Sequence, residues 1–268
     1  MKLYLAPLEG ITSYIYRKAL YQCFDGFDKY FIPFIRAKQN LNFSGREKKD
    51  ISPENNSGMY AVPQILTRNA DDFLRTANQL KEYGYQEVNL NLGCPSKTVV
   101  TKGCGAGFLA RPEELEQFLD RIYSKTDMKI SVKTRLGMEN AEEISTADGN
   151  LQSFSHGRID HSSESTEGFF TKNTPNLEAF GEALAISKNS VCYNGDIFSA
   201  DDFKRIHAQF PNVECFMMGR GILADPSLPA DAMAKGEGRY SRISVDFTIF
   251  CIIHTVRKCP GIEMFFSK

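Results

Sequence analysis

The chain has 268 residues, 42% of them apolar, with seven cysteines and a formal net charge of −1. That length holds one large domain with a small appendage, and the near-neutral charge excludes a broad basic surface, so any nucleic acid must be gripped by local patches. No stretch is long and apolar enough to span a membrane, no signal peptide precedes the first strand-like run, and an odd cysteine count without a C-x-x-C pair is the pattern of reduced thiols in a cytoplasmic protein.

In chain order, "KLYLAP" (2–7) reads as a strand, and "SYIYRKALYQC" (13–23) as a helix with Ile15, Ala19 and Leu20 on one stripe. "MYAVPQIL" (59–66) is a strand. It is followed by "NADDFLRTANQLKEYG" (69–84), a helix that Asn69 can cap, with Phe73, Ala77 and Leu80 on one face and Gly84 as its stop. "QEVNLNL" (86–92) is the next strand. The helix "RPEELEQFLDRIYSK" (111–125) has Pro112 in its first turn and Leu115, Leu119 and Ile122 facing inward. Then come strand "MKISVKTRLG", helix "NLEAFGEALAIS", strand "SVCYNGD", helix "SADDFKRIHAQ" and strand "VECFMMGRG". Strands alternating with helices through short connections mean parallel pairing with crossover helices, and the expected fold is a (β/α)8 TIM barrel.

In such a barrel the site lies at the carboxyl ends of the strands, and the unusual residues collect there. Glu9 and Gly10 follow the first strand; Gln64 ends "AVPQ"; Asn91 and Cys94 end "NLNLGC"; Lys133 and Arg135 end "SVKTR". Asn194, Gly195 and Asp196 end "CYNGD", and Gly219 and Arg220 end "MMGRG". The last two groups suit a phosphate, since glycine admits close backbone approach and arginine adds charge-assisted bonds. Lys133 could stabilise negative charge on an electron-rich ring, or with Arg135 form salt bridges at the barrel mouth. Gln64 reads equally as a loop hydrogen bond or as cofactor recognition. Cys94, between glycine and proline at a strand tip, points to chemistry, whereas Cys104, Cys192 and Cys215 read as ordinary thiols. His207 reads as part of a solvated helix face, and the aromatics at 4, 60, 73, 118 and 180 as core.

The segments "APLEGIT", "NLNLGCPSKTVVTKGCGAG", "VKTRLG", "NGDIF" and "GRG", in this order, resemble the tRNA-dihydrouridine synthase family of flavoenzymes from Leu5 to about Gly137 and again from about Phe169 to Asp225. The resemblance implies bound FMN, NADPH as reductant, tRNA as substrate, and hydride transfer from flavin to C6 of uracil. It implies Cys94 as the general acid at C5, with Pro7, Leu8, Glu9, Gln64, Lys133, Asn194, Gly195, Asp196, Gly219 and Arg220 holding FMN. Asn91 and Arg135 would face the RNA, and the loop bearing Lys97 and Lys102 would be a flexible lid over a base drawn out of the folded RNA. The protein would act as a monomer. Two other readings stand beside this one: an FMN barrel oxidoreductase acting on a small molecule, as dihydroorotate dehydrogenases do, and a non-catalytic product.

Two segments break the pattern. Residues 139–168 are polar and Ser-rich without a β-branched run, where a barrel needs a helix and a strand; the tail from Ser244 is apolar without helix signals. Only "SHGRID" loosely resembles the family's His-x-Arg strand end, through His156 and Arg158. Permitted codons for Ala147–Phe170, read one nucleotide on, yield a helix and a β-run "LIIHPR", and a shifted reading from Asp246 yields a helical string. The expectation is therefore a barrel over 1–235 with a frameshift-like segment at 139–168, a remnant of a C-terminal tRNA-binding helical domain over 236–268, and impaired activity.

Overall fold

The first half of the chain forms Lys2–Leu5 (β1), Tyr14–Cys23 (α1), Lys29–Arg36 (β2), Gly45–Ile51 (α2), Ala61–Leu66 (β3), Ala70–Glu82 (α3), Glu87–Leu92 (β4), Lys97–Val100 (α4), Ala106–Leu109 (α5) and Pro112–Lys125 (α6). The second supplies Lys129–Arg135 (β5), Arg158–Ser162 (β6), Leu177–Ile186 (α7), Val191–Asn194 (β7), Ala200–Gln209 (α8), Cys215–Met218 (β8), Arg220–Ala224 (α9) and Leu228–Met233 (α10). This computed structural model describes residues 1–24, 26–39, 42–135, 158–162 (backbone path) and 175–233. Each strand pairs in parallel with its sequence neighbours, and β1 pairs with β8, so the sheet closes as the (β/α)8 barrel that the alternation predicts.

Local signals explain most elements. Asn69 accepts the Asp72 N–H at 3.0 Å to start α3, which buries Phe73, Thr76, Ala77 and Leu80; Gly84, at φ +91°, lets the chain leave it. Pro112 opens α6, whose buried stripe is Leu115, Phe118, Leu119 and Ile122. Ser44 and Glu47 form a capping box at the start of α2, a helix outside the predicted set whose S-x-x-E signature is nevertheless in the sequence.

Two strands also fall outside the predicted set. β2 contains Pro33, which cannot donate to a ladder, and the β2–β3 register shifts between Ile32 and Ile35 to accommodate it. β6 corrects the expectation that 139–168 contains no strand. Ser131 pairs with Arg158 and Arg135 with Ser162 on one side, and Ile159 with Val191 on the other. The physical reason is context. A five-residue gap flanked by two strands offers backbone donors and acceptors on both sides, and pairing with them does not require β-branched side chains. The sheet is closed through the backbone of β6. His156 and the expected appendage over 236–268 lie outside the described residues.

The barrel interior is divided. Tyr4, Phe31, Val62, Cys192, Cys215 and Met217 form an apolar cluster, while β3, β4 and β5 contribute buried Gln64, Asn89, Asn91 and Ser131. At the amino ends of the strands, Lys29 reaches both carboxylate oxygens of Glu87 at 2.8 and 2.6 Å. Tyr4, Phe73, Phe118 and Phe180 are core as expected, but Tyr60 is 47% exposed and caps this ion pair, donating to Glu87 at 3.2 Å. His207 also departs from expectation: it stacks on Phe203 and meets Phe216 edge-on. No helix among the described residues is long and apolar enough to cross a membrane.

Candidate active site at the carboxyl ends of the strands

The topology brings every candidate residue to one end of the barrel. Pro7, Leu8 and Glu9 follow β1, Gln64 lies in β3, Asn91 ends β4 just before Cys94, and Lys133 and Arg135 end β5. Asn194, Gly195 and Asp196 lie at the tip of β7, and Gly219 and Arg220 at the tip of β8.

Cys94 is half-buried on a turn clamped from two directions. Asn91 Oδ1 accepts the N–H groups of Gly93 at 3.1 Å and of Cys94 at 3.0 Å. From the other side the chain folds back, so that the Ala106 N–H donates to the Cys94 carbonyl at 3.1 Å. Gly105 permits that approach: at φ +56°, a Cβ there would lie 2.8 Å from the Cys94 carbonyl oxygen and from Val99 Cγ1. This explains the second glycine cluster in "GCPSKTVVTKGCGAG". Lys97–Val100 is a turn of helix whose Val99 is fully buried, leaving only Lys97, Thr98, Thr101 and Lys102 outward.

Burial pushes the Cys94 thiol above its ordinary value. Glu9 adds to that rise, and a backbone hydrogen bond at Ser96 with the charges of Arg36 and Arg135 opposes it. The group is thus a protonated thiol at neutral pH, suited to giving a proton rather than to nucleophilic attack. Iodoacetamide labelling of Cys94 should accordingly accelerate with an inflection above the usual thiol range. An inflection near neutrality would show a thiolate and overturn that assignment.

Asn91 was expected to face RNA, yet it is 7% exposed and spends its amide inside the protein: Nδ2 donates to Gln64 Oε1 at 2.7 Å. Gln64 Nε2 donates to Asn89 Oδ1 at 2.7 Å, and Asn89 Nδ2 to Ser131 Oγ at 2.9 Å. Asn89 and Ser131 are absent from the expected site; Asn89 shares a strand face with Asn91 two residues on, a period-two pattern that the sequence displays, while Ser131 carries no such signal. Arg135 is also largely buried, at 9%.

At β1, the Leu8 N–H donates to Thr12 Oγ1 at 2.8 Å, shaping the loop that carries Leu8 and Glu9. Arg17, fully buried on α1, locks this loop by donating to the Thr12 carbonyl at 2.7 Å, to the Asp50 carbonyl at 2.7 Å and to Asn56 Oδ1 at 2.9 Å. Burial lowers its guanidinium to about 10. No periodicity rule would have placed an arginine inward here. Across the mouth, Arg220 pairs with Asp196 and lies over the Phe198 ring, and Asn194 donates to the Met217 carbonyl at 3.0 Å, tying the tips of β7 and β8. A Cβ at Gly219 would lie 3.3 Å from Ala6 Cβ and 3.7 Å from Leu8, so glycine lets the β8 tip pack closely against the β1 tip.

Comparison with known proteins bears on this geometry. The family model described as dihydrouridine synthase matches residues 4–254, a span that runs through 139–168. The tRNA-dihydrouridine synthase B of Pasteurella multocida is 27% identical over 234 residues, covering 85% of this chain and 67% of that protein. The tRNA-dihydrouridine(16) synthase of Pseudomonas putida is 29% identical over 248 residues, covering 89% and 75%. Among solved structures, a variant of NCR from Zymomonas mobilis superposes with a TM-score of 0.61 at 14% identity, covering 91% of this chain and 89% of that one. Morphinone reductase does so with a TM-score of 0.59 at 11% identity, covering 90% and 88%. At these identities the structural likeness shows the barrel fold.

Proposed function

The chain belongs to the dihydrouridine synthase family, and on that premise we propose that it reduces the C5–C6 double bond of uridines in tRNA, with FMN as its resident flavin and NADPH as the reductant. The observation that carries the reading is the place of Cys94: a half-buried thiol on a turn clamped by Asn91, at the end of the barrel where all the candidate residues meet. The small-molecule reading has no such support, because the relatives named above are tRNA-modifying proteins.

The residues present fit a flavin mononucleotide. Asn194, Gly195, Gly219 and Arg220 form a donor-rich, glycine-bearing rim on adjacent strand tips, with Gly219 packed against Ala6 and Leu8. These residues would hold the phosphate end, with Asp196 orienting Arg220. Pro7, Leu8, Glu9, Gln64 and Lys133 would hold the ring, Lys133 offering positive charge to it. When bound, the cofactor supplies the hydride that adds to C6 of the uracil ring. The rest is the work of the chain. Cys94 Sγ gives its proton to C5 from the opposite face, and the resulting thiolate recovers a proton from solvent. The exposed Lys97 and Lys102 would meet RNA phosphates around the mouth.

The deciding experiment is reduction of unmodified tRNA with NADPH, followed by nucleoside analysis for dihydrouridine; no dihydrouridine from flavin-loaded protein would overturn the proposal. Lys133→Ala and Arg220→Ala should each weaken FMN binding, by about tenfold or more if a charge-assisted bond of roughly 1.5–3 kcal/mol is lost. Titration of flavin fluorescence measures this, and parental affinity in both variants would reject the cofactor assignment.

A further inference from the structure

The buried amides of β3, β4 and β5 form one directed chain, and its direction can be deduced. Backbone N–H groups only donate. Because Gly93 and Cys94 both present N–H groups to Asn91, the atom that receives them must be its oxygen. The other end of that amide must then donate, which makes the facing Gln64 atom an oxygen. Gln64 therefore donates to Asn89 through nitrogen, and Asn89 in turn donates to the Ser131 hydroxyl. Two N–H groups on the Cys94 turn thus dictate the orientation of three side-chain amides, and the chain ends on the Ser131 hydroxyl, which accepts from Asn89 and completes its buried hydrogen bonding. All four side chains are buried: Gln64 at 1%, Asn89 and Ser131 at 0%, Asn91 at 7%. A single amide reversed anywhere along the chain would set donor against donor, or acceptor against acceptor, away from water.

We propose that Asn89 and Ser131 are positioning residues that act on Cys94 through Gln64 and Asn91, setting the turn that aims the thiol into the mouth. Neither touches Cys94. Their influence passes through Gln64, assigned above to the flavin ring, so the ring site and the proton donor share one rigid scaffold.

This inference rests on the reading of Cys94 as the thiol of the site, and its test does not use catalysis. The rate of iodoacetamide labelling of Cys94 in the purified protein, read by peptide mass spectrometry, is compared with that of Cys23, which lies on α1. Asn89→Ala should speed Cys94 labelling by about fivefold or more, as expected when a buried acceptor or donor loses its partner, with Cys23 unchanged. Asn91→Ala should do the same, and the double variant should be no faster than Asn91→Ala alone, because both act through one chain. Ser131→Ala should show a smaller rise that Ser131→Thr, which keeps the hydroxyl, reverses. An unchanged Cys94 rate in folded Asn89→Ala, or single effects that multiply in the double variant, would overturn the proposal. If Asn89→Ala does not fold, the comparison of Ser131→Ala with Ser131→Thr decides: equal rates overturn the proposal, and rescue by threonine supports it. A protein that fails to reduce tRNA can still pass this test, and an active one can fail it.

Discussion

Cys94→Ala is expected to abolish dihydrouridine formation, lowering it by ~10²–10⁴-fold, while NADPH still reduces the bound flavin at the parental rate. The two half-reactions have different requirements. Reduction of the flavin needs the cofactor, which on the proposed assignment would be held at the strand tips by Gln64, Lys133 and the β7–β8 rim, without the Cys94 sulfur. Reduction of uracil needs a proton at C5, and the thiol, kept protonated by burial and by Glu9, is the proposed donor. Cys94→Ser is the stricter control. It restores the volume and a hydroxyl, but a hydroxyl gives up its proton far less readily than a thiol, so the defect should remain. Stopped-flow bleaching of the flavin absorbance reports the first half and nucleoside analysis of tRNA the second. Parental tRNA reduction by Cys94→Ala would remove Cys94 from the mechanism.

The barrel was legible in the sequence because crossover helices carry a wide apolar stripe and its caps, as in α3 with Asn69, Phe73, Ala77 and Leu80. Strands buried on both faces carry weaker signals. β2 was hidden by Pro33, whose missing donor the structure absorbs in a register shift. β6 was hidden for another reason. Only Ile159 in "RIDHS" is β-branched, and the strand is imposed by the free edges of β5 and β7 rather than by its own composition. The shifted-frame account rested on two irregular segments and their re-read codons; the backbone of β6 places a strand in the first, while His156 and the tail from Ser244 lie outside the described residues.

The site was legible as a set of strand tips but not as a wiring diagram. Sequence position placed Cys94, Gln64, Asn91 and Lys133 at one end of a barrel, because parallel strands all end there. It could not show that Asn91 turns its amide inward, since that depends on which strand lies beside β4 and in what register: Gln64 stands opposite Asn89, and Asn89 opposite Ser131. Arg17 shows the same limit. A charged residue in an amphipathic helix is normally read as outward, yet here three acceptors from separate segments converge on it and make burial favourable.

The opposite end of the barrel supplies the largest expected change in stability. Glu87 stands at the amino end of β4 with its side chain 1% exposed, facing a Lys29 side chain that is 10% exposed at 2.6 Å, with Lys129 at 3.4 Å. Lys29 also lies over the rings of Tyr4 and Tyr60, at 5.5 and 5.0 Å from their centroids. Burial, reinforced by Glu87, raises Tyr60 to about 12, so its hydroxyl stays a donor to the carboxylate through the alkaline range. Removing the carboxylate alone leaves the buried Lys29 ammonium without its Glu87 counter-charge, so Glu87→Ala should cost about 3–5 kcal/mol. Lys129, half-exposed, is screened by water and adds little. The double variant Glu87→Ala with Lys29→Met should regain most of that loss, because the penalty belongs to a buried ammonium deprived of the Glu87 carboxylate and not to the absence of a pair. Urea unfolding measures both variants, as shifts in midpoint at unchanged slope. FMN binding at the carboxyl ends of the strands should stay at the parental level below the unfolding midpoint, since amino-end residues of a barrel serve stability and carboxyl-end residues chemistry. A loss under about 1 kcal/mol for Glu87→Ala, the range of exposed ion pairs, would mean that Lys29 escapes to water or sheds its proton, and that the ion pair does not hold this end of the barrel closed.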